Sequence, residues 1–81
     1  MNSTFALFYP ETMEEKEDLF TTLVKKLNLR MQKVNAAELF RKYKYEFSGA
    51  DLESVLIRAK FLSAMNNHVL ITKADLEETI Q

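Results

Sequence analysis

The fold of this chain is decided by one stretch, which reads Phe47-Ser48-Gly49-Ala50-Asp51-Leu52-Glu53-Ser54-Val55-Leu56-Ile57-Arg58-Ala59. Ser48 is a residue type that caps helices, and Asp51, three residues later, can reach back to it as in a capping box. Gly49 is the only glycine, and it would let another backbone or a ligand approach the start of this helix closely. Apolar residues then follow at helical spacing: Leu52, Val55, Leu56, Ala59 and Leu62. The stretch therefore predicts a helix of about five turns that begins at Ser48.

Three more helix starts use the same pattern, a capping residue followed three residues later by an acid. They pair Thr12 with Glu15, Asn35 with Glu38 and Thr72 with Asp75. An acid in the first turn is favoured by the positive end of the helix dipole. The sequence therefore predicts four helices, over Met13–Leu27, Ala36–Tyr43, Gly49–Asn66 and Lys73–Ile80. Asn66 and Asn67 suit the end of the third helix because asparagine tolerates the left-handed conformation.

The N-terminal segment differs from the rest of the chain. Thr4–Tyr9 is short, apolar and rich in aromatic residues, and it is followed by Pro10. Such a segment predicts a strand or an extended arm that stops at the proline. A lone strand has no partner in a helical chain, so it either packs on the bundle as an arm or belongs to a sheet elsewhere in a longer protein. The predicted fold class is all-α, a small four-helix bundle with a short extended N-terminal arm.

Composition limits the classes of protein to which this chain can belong. The chain has 81 residues, enough for one small domain, and it contains 47% hydrophobic residues with one glycine and one proline. It has no cysteine, which excludes disulfides and thiolate metal sites. The net charge is −1 with acids and bases interspersed, so we expect neither nucleic acid nor a membrane as partner. Without a signal-peptide layout or a long apolar run, a cytoplasmic location is expected, with a nuclear one also open.

The chain lacks the residues that independent catalysis requires. Its single histidine, His68, lies in a predicted turn and is expected to have a structural role. One histidine and no cysteine leave too few good ligands for zinc. A phosphate-binding Gly-x-x-x-x-Gly-Lys-Ser/Thr loop is impossible with one glycine. We therefore predict no catalytic residue and no metal site in this chain.

Several motifs together resemble the C-terminal helical lid of AAA-type ATPases. They are Ser48-Gly49-Ala50-Asp51-Leu52-Glu53, the apolar run that ends at Arg58-Ala59, the pair Ile71-Thr72, and Asp75-Leu76-Glu77-Glu78-Thr79-Ile80. The combination, at this spacing, is more specific than any one of the motifs, and the resemblance extends from about Tyr9 to Ile80. It implies that residues 1–10 are the end of the last strand of an ATPase core, or an extended arm, and that residues 11–81 are the lid.

The resemblance also implies a function and partners. In the family the lid closes over ATP, which an absent core would hold together with magnesium, and it couples ATP hydrolysis to subunit motion in protein remodelling. The implied partners are the ATPase core of the same parent chain, neighbouring subunits of a hexameric ring and the protein substrate of the parent. This chain alone would not be an enzyme, whereas its parent would hydrolyse ATP. Gly49 and Ala50 match the window that contacts the base and sugar.

The chain departs from the family pattern at several positions. Leu23 matches a position on the first lid helix where some members carry a ribose-facing histidine, and the resemblance implies a cofactor contact at Leu23 as well. Residues 49–52 hold no arginine to reach the γ-phosphate, which resembles the AAA clade proper. Lys16 stands where the family favours arginine, and lysine lacks the bidentate fork of the guanidinium group.

Other interpretations of the same residues remain open. Gly49 and Ala50 could be small only because helices pack closely there. The whole chain could be a free-standing helical interaction module that binds no nucleotide, which predicts an exposed apolar patch and a partner or self-association. The basic residues of the segment 41–45 follow the end of the second helix, where the dipole favours them, so a DNA-binding bundle ranks last.

Overall fold

The computed structural model describes residues 7–43 and 46–80 of the chain. It contains four helices, α1 (Met13–Lys26), α2 (Ala36–Lys42), α3 (Gly49–Met65) and α4 (Lys73–Ile80). The predicted all-α fold is confirmed, and every predicted helix boundary agrees within one residue. Residues 1–6 of the predicted arm, and Lys44 and Tyr45 of the basic segment, lie outside the described residues.

The capping residues predicted from the sequence lie at the N-termini of the four helices. Reciprocal capping boxes are formed by Thr12 with Glu15, Ser48 with Asp51, and Thr72 with Asp75. At α2 the Asn35 side chain accepts a hydrogen bond from the N–H of Glu38 at 3.1 Å. Each cap satisfies an N–H group that has no partner within its helix. Local sequence therefore sets where all four helices begin.

Two helices end at asparagines with left-handed backbone. Asn28 after α1 has φ of 52°, and Asn67 after α3 has φ of 59°. After α3 the N–H of Asn67 donates to the carbonyl of Ala64 at 3.1 Å, and the N–H of His68 donates to that of Ser63 at 2.9 Å. This pair of bonds is a Schellman motif, and α1 ends with the same pair. The prediction that Asn67 helps to end the third helix is confirmed.

One hydrophobic core holds the helices together. Helix α3 packs most extensively on α4, and α1 packs on α2 and α3. The rings of Phe20 and Phe40 meet edge to face at 6.0 Å, and Phe47 stacks on Phe40 at 5.3 Å. The buried apolar side chains are Leu19, Phe20, Leu23, Leu39, Phe40, Leu52, Leu56, Ala59, Ile71 and Leu76. Because α3 supplies its inner face to this core, its N-terminus is held at a fixed place on the bundle.

The two longer connections also pair with each other. Met31 and Ile71 form an isolated parallel β-bridge. The N–H of Gln32 donates to the carbonyl of Ile71 at 2.9 Å, and the N–H of Ile71 donates to that of Arg30 at 2.9 Å. Helices α2 and α4 are bridged by the ion pairs Lys42–Glu77 and Lys73–Glu38. Across residues 7–43 and 46–80, no helix is long and apolar enough to cross a bilayer.

Candidate functional site

The start of helix α3 meets the N-terminal arm at Gly49. Gly49 is buried, and its N–H donates to the carbonyl of Phe8 at 2.9 Å. Its φ is not positive, so the backbone conformation alone does not require glycine here. The missing side chain instead leaves room for another backbone to approach. The close approach expected from the sequence is present, and in this structure the arm makes it.

Ala50 lies beside this contact, and its side chain is exposed. Three of the four N–H groups around it have partners: that of Ser48 donates to Asp51 Oδ2 at 2.9 Å, that of Gly49 to Phe8, and that of Asp51 to Ser48 Oγ at 3.2 Å. Within the described part of the chain, no acceptor pairs with the N–H of Ala50. The start of α3 therefore presents one backbone donor next to a small side chain.

The charge at the start of α3 favours a neutral ligand group over a phosphate. Asp51 places its carboxylate at the N-terminus of α3 and offsets the positive end of the helix dipole. The nearby cation is Lys16 on α1, whose Nζ lies 5.8 Å from the centre of the Phe47 ring. A purine base or a sugar needs a flat or small contact surface with a hydrogen-bond donor, and of the two window residues the exposed Ala50 offers both. A phosphate would have to compete with the Asp51 carboxylate.

Two small cavities adjoin this region. One of about 190 Å³ lies beside the arm and is lined by Phe8, Glu15, Asp18, Leu19 and Thr22. The other, of about 160 Å³, is apolar and is lined by Phe40, Tyr43, Phe47, Asp51, Leu52, Val55 and Ile80. Each is smaller than the roughly 300–1,000 Å³ of a typical ligand pocket. The bundle thus offers one contact face, and a whole nucleotide would need a second wall from another domain.

Leu23, the third predicted contact residue, lies elsewhere. Its side chain is fully buried in the core, with 0% of its surface exposed. Gly49 and Ala50 are neighbours at the start of α3, but Leu23 does not share a surface with them. A ligand contact by Leu23 stays a prediction, and in this structure the side chain fills the core.

The histidine has a partner that the sequence did not reveal. His68 lies in the predicted turn, and its Nδ1 is 3.0 Å from Oδ2 of Asp75, whose side chain is 2% exposed. Burial alone would raise the pKa of Asp75, but hydrogen bonds from the Thr72 backbone, the His68 ring and the Thr72 hydroxyl together lower the pKa below its ordinary value. The sequence identified Asp75 as a cap but contained no pattern that indicated its burial.

His68 lines an open cleft of about 280 Å³, and Arg30 and Lys60 also line the cleft. Among the residues described, no three or more histidine, aspartate or glutamate side chains lie close enough to bind a metal ion. The arrangement is a structural hydrogen-bond network at the junction of α3 and α4.

No protein-family model matches this chain, and no curated protein sequence matches it. The resemblance to AAA lids therefore rests on the sequence motifs quoted above.

Proposed function

We propose that residues 11–81 form the lid of an AAA-type ATPase, and that residues 1–10 are the end of the preceding core strand. The observation that carries the proposal is the 2.9 Å hydrogen bond from the Gly49 N–H to the Phe8 carbonyl. This bond joins the segment that resembles the end of the core strand to the window that the resemblance assigns to the base and sugar. The hydrogen bond therefore holds residues 49 and 50 against the N-terminal segment through which a core domain would connect to the bundle.

The proposal assigns the chemistry of the site to backbone and small side chains. Ala50 is exposed, and its N–H has no acceptor among the described residues, so a base or sugar held by a core domain could lie against Ala50 while the buried Gly49 keeps the arm close beside it. The lid would neither bind the phosphates nor perform hydrolysis. Its contribution is to cover the nucleotide and to exclude water.

In this proposal the contact between Phe8 and Gly49 also couples nucleotide binding to movement of the lid. Pro10 is buried, and the ring fixes its φ, so the chain enters the bundle at a rigid point. Tyr9 before it is exposed. Rotation of the bundle as one body about Tyr9–Pro10 would release the hydrogen bond between Gly49 and Phe8 and move the lid relative to the core and its neighbours in a ring.

The first experiment measures the size of the native polypeptide with an antibody raised against residues 11–81. A band of several hundred residues is expected, because a nucleotide-binding core would add roughly 100–200 residues per domain. A band near 9.5 kDa would overturn the proposal, because no core would then precede the lid.

The second experiment tests the contact itself in that longer protein. Gly49→Trp should weaken ATP binding and slow turnover, because the indole would displace the arm and disrupt the surface at the start of α3. Ala74→Trp is the control, because Ala74 is an exposed helix residue on α4. Normal ATP affinity and turnover in Gly49→Trp would show that the assigned contact is wrong.

The second candidate function is a helical interaction module that works without nucleotide. One observation favours it: several large apolar side chains are exposed, namely Leu7, Phe61, Met65 and Val69. Phe61 and Met65 lie one helical turn apart and line the same shallow depression, and exposed apolar patches mark interaction surfaces. A native polypeptide near 9.5 kDa that self-associates would favour this function over the lid.

A further inference from the structure

The outer face of α3 carries a regular seam that is exposed and that no other helix of the described residues covers. Its exposed members follow one another in steps of four and three positions along the helix: Ala50, Ser54, Ile57, Phe61 and Ala64. The inner face of the same helix is buried through Leu52, Leu56, Ala59 and Ser63. Alternation of four and three is the spacing by which two helices pack side by side over several turns. The seam therefore has the geometry of a helix-pairing surface.

Charges flank this seam in an ordered way. Asp51 and Arg58 lie along one side of it, and Glu53 and Lys60 lie along the other. The acids are in the N-terminal half of α3 and the bases are in the C-terminal half. The ion pairs that the described residues form within 4.0 Å do not include any of these four side chains.

We infer that the seam binds a second copy of this chain, with the two α3 helices antiparallel about a two-fold axis near Val55. In this register Ala50 lies opposite Phe61 of the second copy, and Ser54 lies opposite Ile57. Each large side chain then meets a small one, so the two helices can approach closely. The axis repeats both contacts, as required for an isologous interface.

The flanking charges match in the same register. Asp51 lies opposite Arg58 of the second copy and Glu53 lies opposite Lys60, and symmetry repeats each pair. The two helix dipoles are also antiparallel, which is the favourable arrangement. A parallel pairing would align only Glu53 with Arg58, and it would place Phe61 against itself. Charge and side-chain size together favour the antiparallel pair.

The size of the seam indicates how strong this association is. Helix α3 has 17 residues, about 25 Å at 1.5 Å per residue. One helix pair of this length covers less than the roughly 1,200–2,000 Å² of a typical stable interface. The dimer is therefore a weak, reversible one, and added salt should weaken it further because exposed charges are screened.

This inference does not rest on the nucleotide function, although Ala50 belongs to both surfaces. The experiment uses sedimentation equilibrium of the chain at low salt without nucleotide, together with the variants Glu53→Lys and Lys60→Glu. Wild type should dimerise with increasing concentration. Each variant alone should dimerise at least about tenfold more weakly, because each places like charges opposite each other twice, a difference of about 1.4 kcal/mol.

The decisive sample is an equimolar mixture of the two variants. The lysine introduced at position 53 then faces the glutamate introduced at position 60, and the heterodimer should form at least as well as the wild-type dimer. Parallel pairing predicts no effect of Lys60→Glu and no recovery in the mixture. Circular dichroism of each variant confirms that it is folded. Wild type that stays monomeric at millimolar concentration, or a mixture that does not recover, would overturn the inference and leave the lid proposal untouched.

Discussion

The His68 Nδ1 lies 3.0 Å from the Asp75 Oδ2 and links the end of α3 to the start of α4. The same carboxylate oxygen accepts the Thr72 N–H at 2.9 Å. An ionised carboxylate can only accept hydrogen bonds, so Nδ1 carries the proton. Nearby, the buried Ser63 donates its hydroxyl to the carbonyl of Leu70 at 3.2 Å. The α3–α4 junction is thus closed by polar contacts in which the buried side chains have partners.

The first prediction concerns the stability of the fold at low pH. The pKa of Asp75 is lowered in the folded chain from an ordinary value of 3.8, so the ionised carboxylate stabilises the fold above that pH. This contribution should disappear as pH falls from about 3.8 through the lower folded pKa. Urea unfolding at a series of pH values should show wild type losing stability in this window. Asp75→Asn should be less stable at pH 7 and should lose less stability on acidification.

Glu38→Gln is the matched comparison for this measurement. The pKa of Glu38 is also lowered, first by its hydrogen bond to Lys73, but both side chains of this pair are about half exposed. Salt should therefore remove most of the Glu38 effect and leave that of the buried Asp75. Equal responses of the two variants to salt and to acid would contradict the assignment.

The helices and their caps could be predicted because they depend on residues near one another in sequence. Ser48 and Asp51 are three residues apart, and the capping box between them follows from residue types alone. The apolar spacing of α3 likewise indicates its buried face without knowledge of its neighbours.

The contacts between segments could not be predicted in the same way. The bond between Phe8 and Gly49 and the bridge between Met31 and Ile71 each join residues about 40 apart. The type of a residue does not specify a distant partner. Likewise, the family pattern implies a cofactor contact at Leu23 but does not specify the neighbours on which α1 packs, and that packing buries the Leu23 side chain.

The second prediction concerns the left-handed turn after α3. Asn67 has φ of 59°, a conformation that asparagine tolerates and most residues do not. Asn67→Ala should lower the free energy of unfolding by about 1 kcal/mol, whereas Asn67→Gly should be neutral or slightly stabilising. Asn66→Ala is the control, because Asn66 has φ of −90°. Chemical denaturation of the three variants makes the comparison. A larger loss in Asn66→Ala would show that the backbone conformation does not decide the outcome.

The third prediction concerns Leu23. Its side chain is fully buried, so Leu23→Ala should destabilise the fold by about 2–5 kcal/mol. Leu23→Met conserves volume and should cost less than about 1.5 kcal/mol. Thermal and urea unfolding measure both variants. A stable Leu23→Ala variant would argue that this position is not part of the core and would return it to the list of candidate contact residues.

The fourth prediction concerns the contact between the arm and α3. Gly49→Val places a branched side chain where the Phe8 carbonyl approaches at 2.9 Å, so the arm should detach while the bundle stays folded. Loss of one hydrogen bond, about 1 kcal/mol, should raise chymotrypsin cleavage after Phe8 about fivefold, because cleavage follows the population of the open form. Ala50→Val is the control: it introduces the same side chain at an exposed position and lowers the helix propensity of α3, which Gly49→Val does not, without touching this bond. An equal rise in both variants would mean that general fraying of α3, and not Gly49, controls the arm.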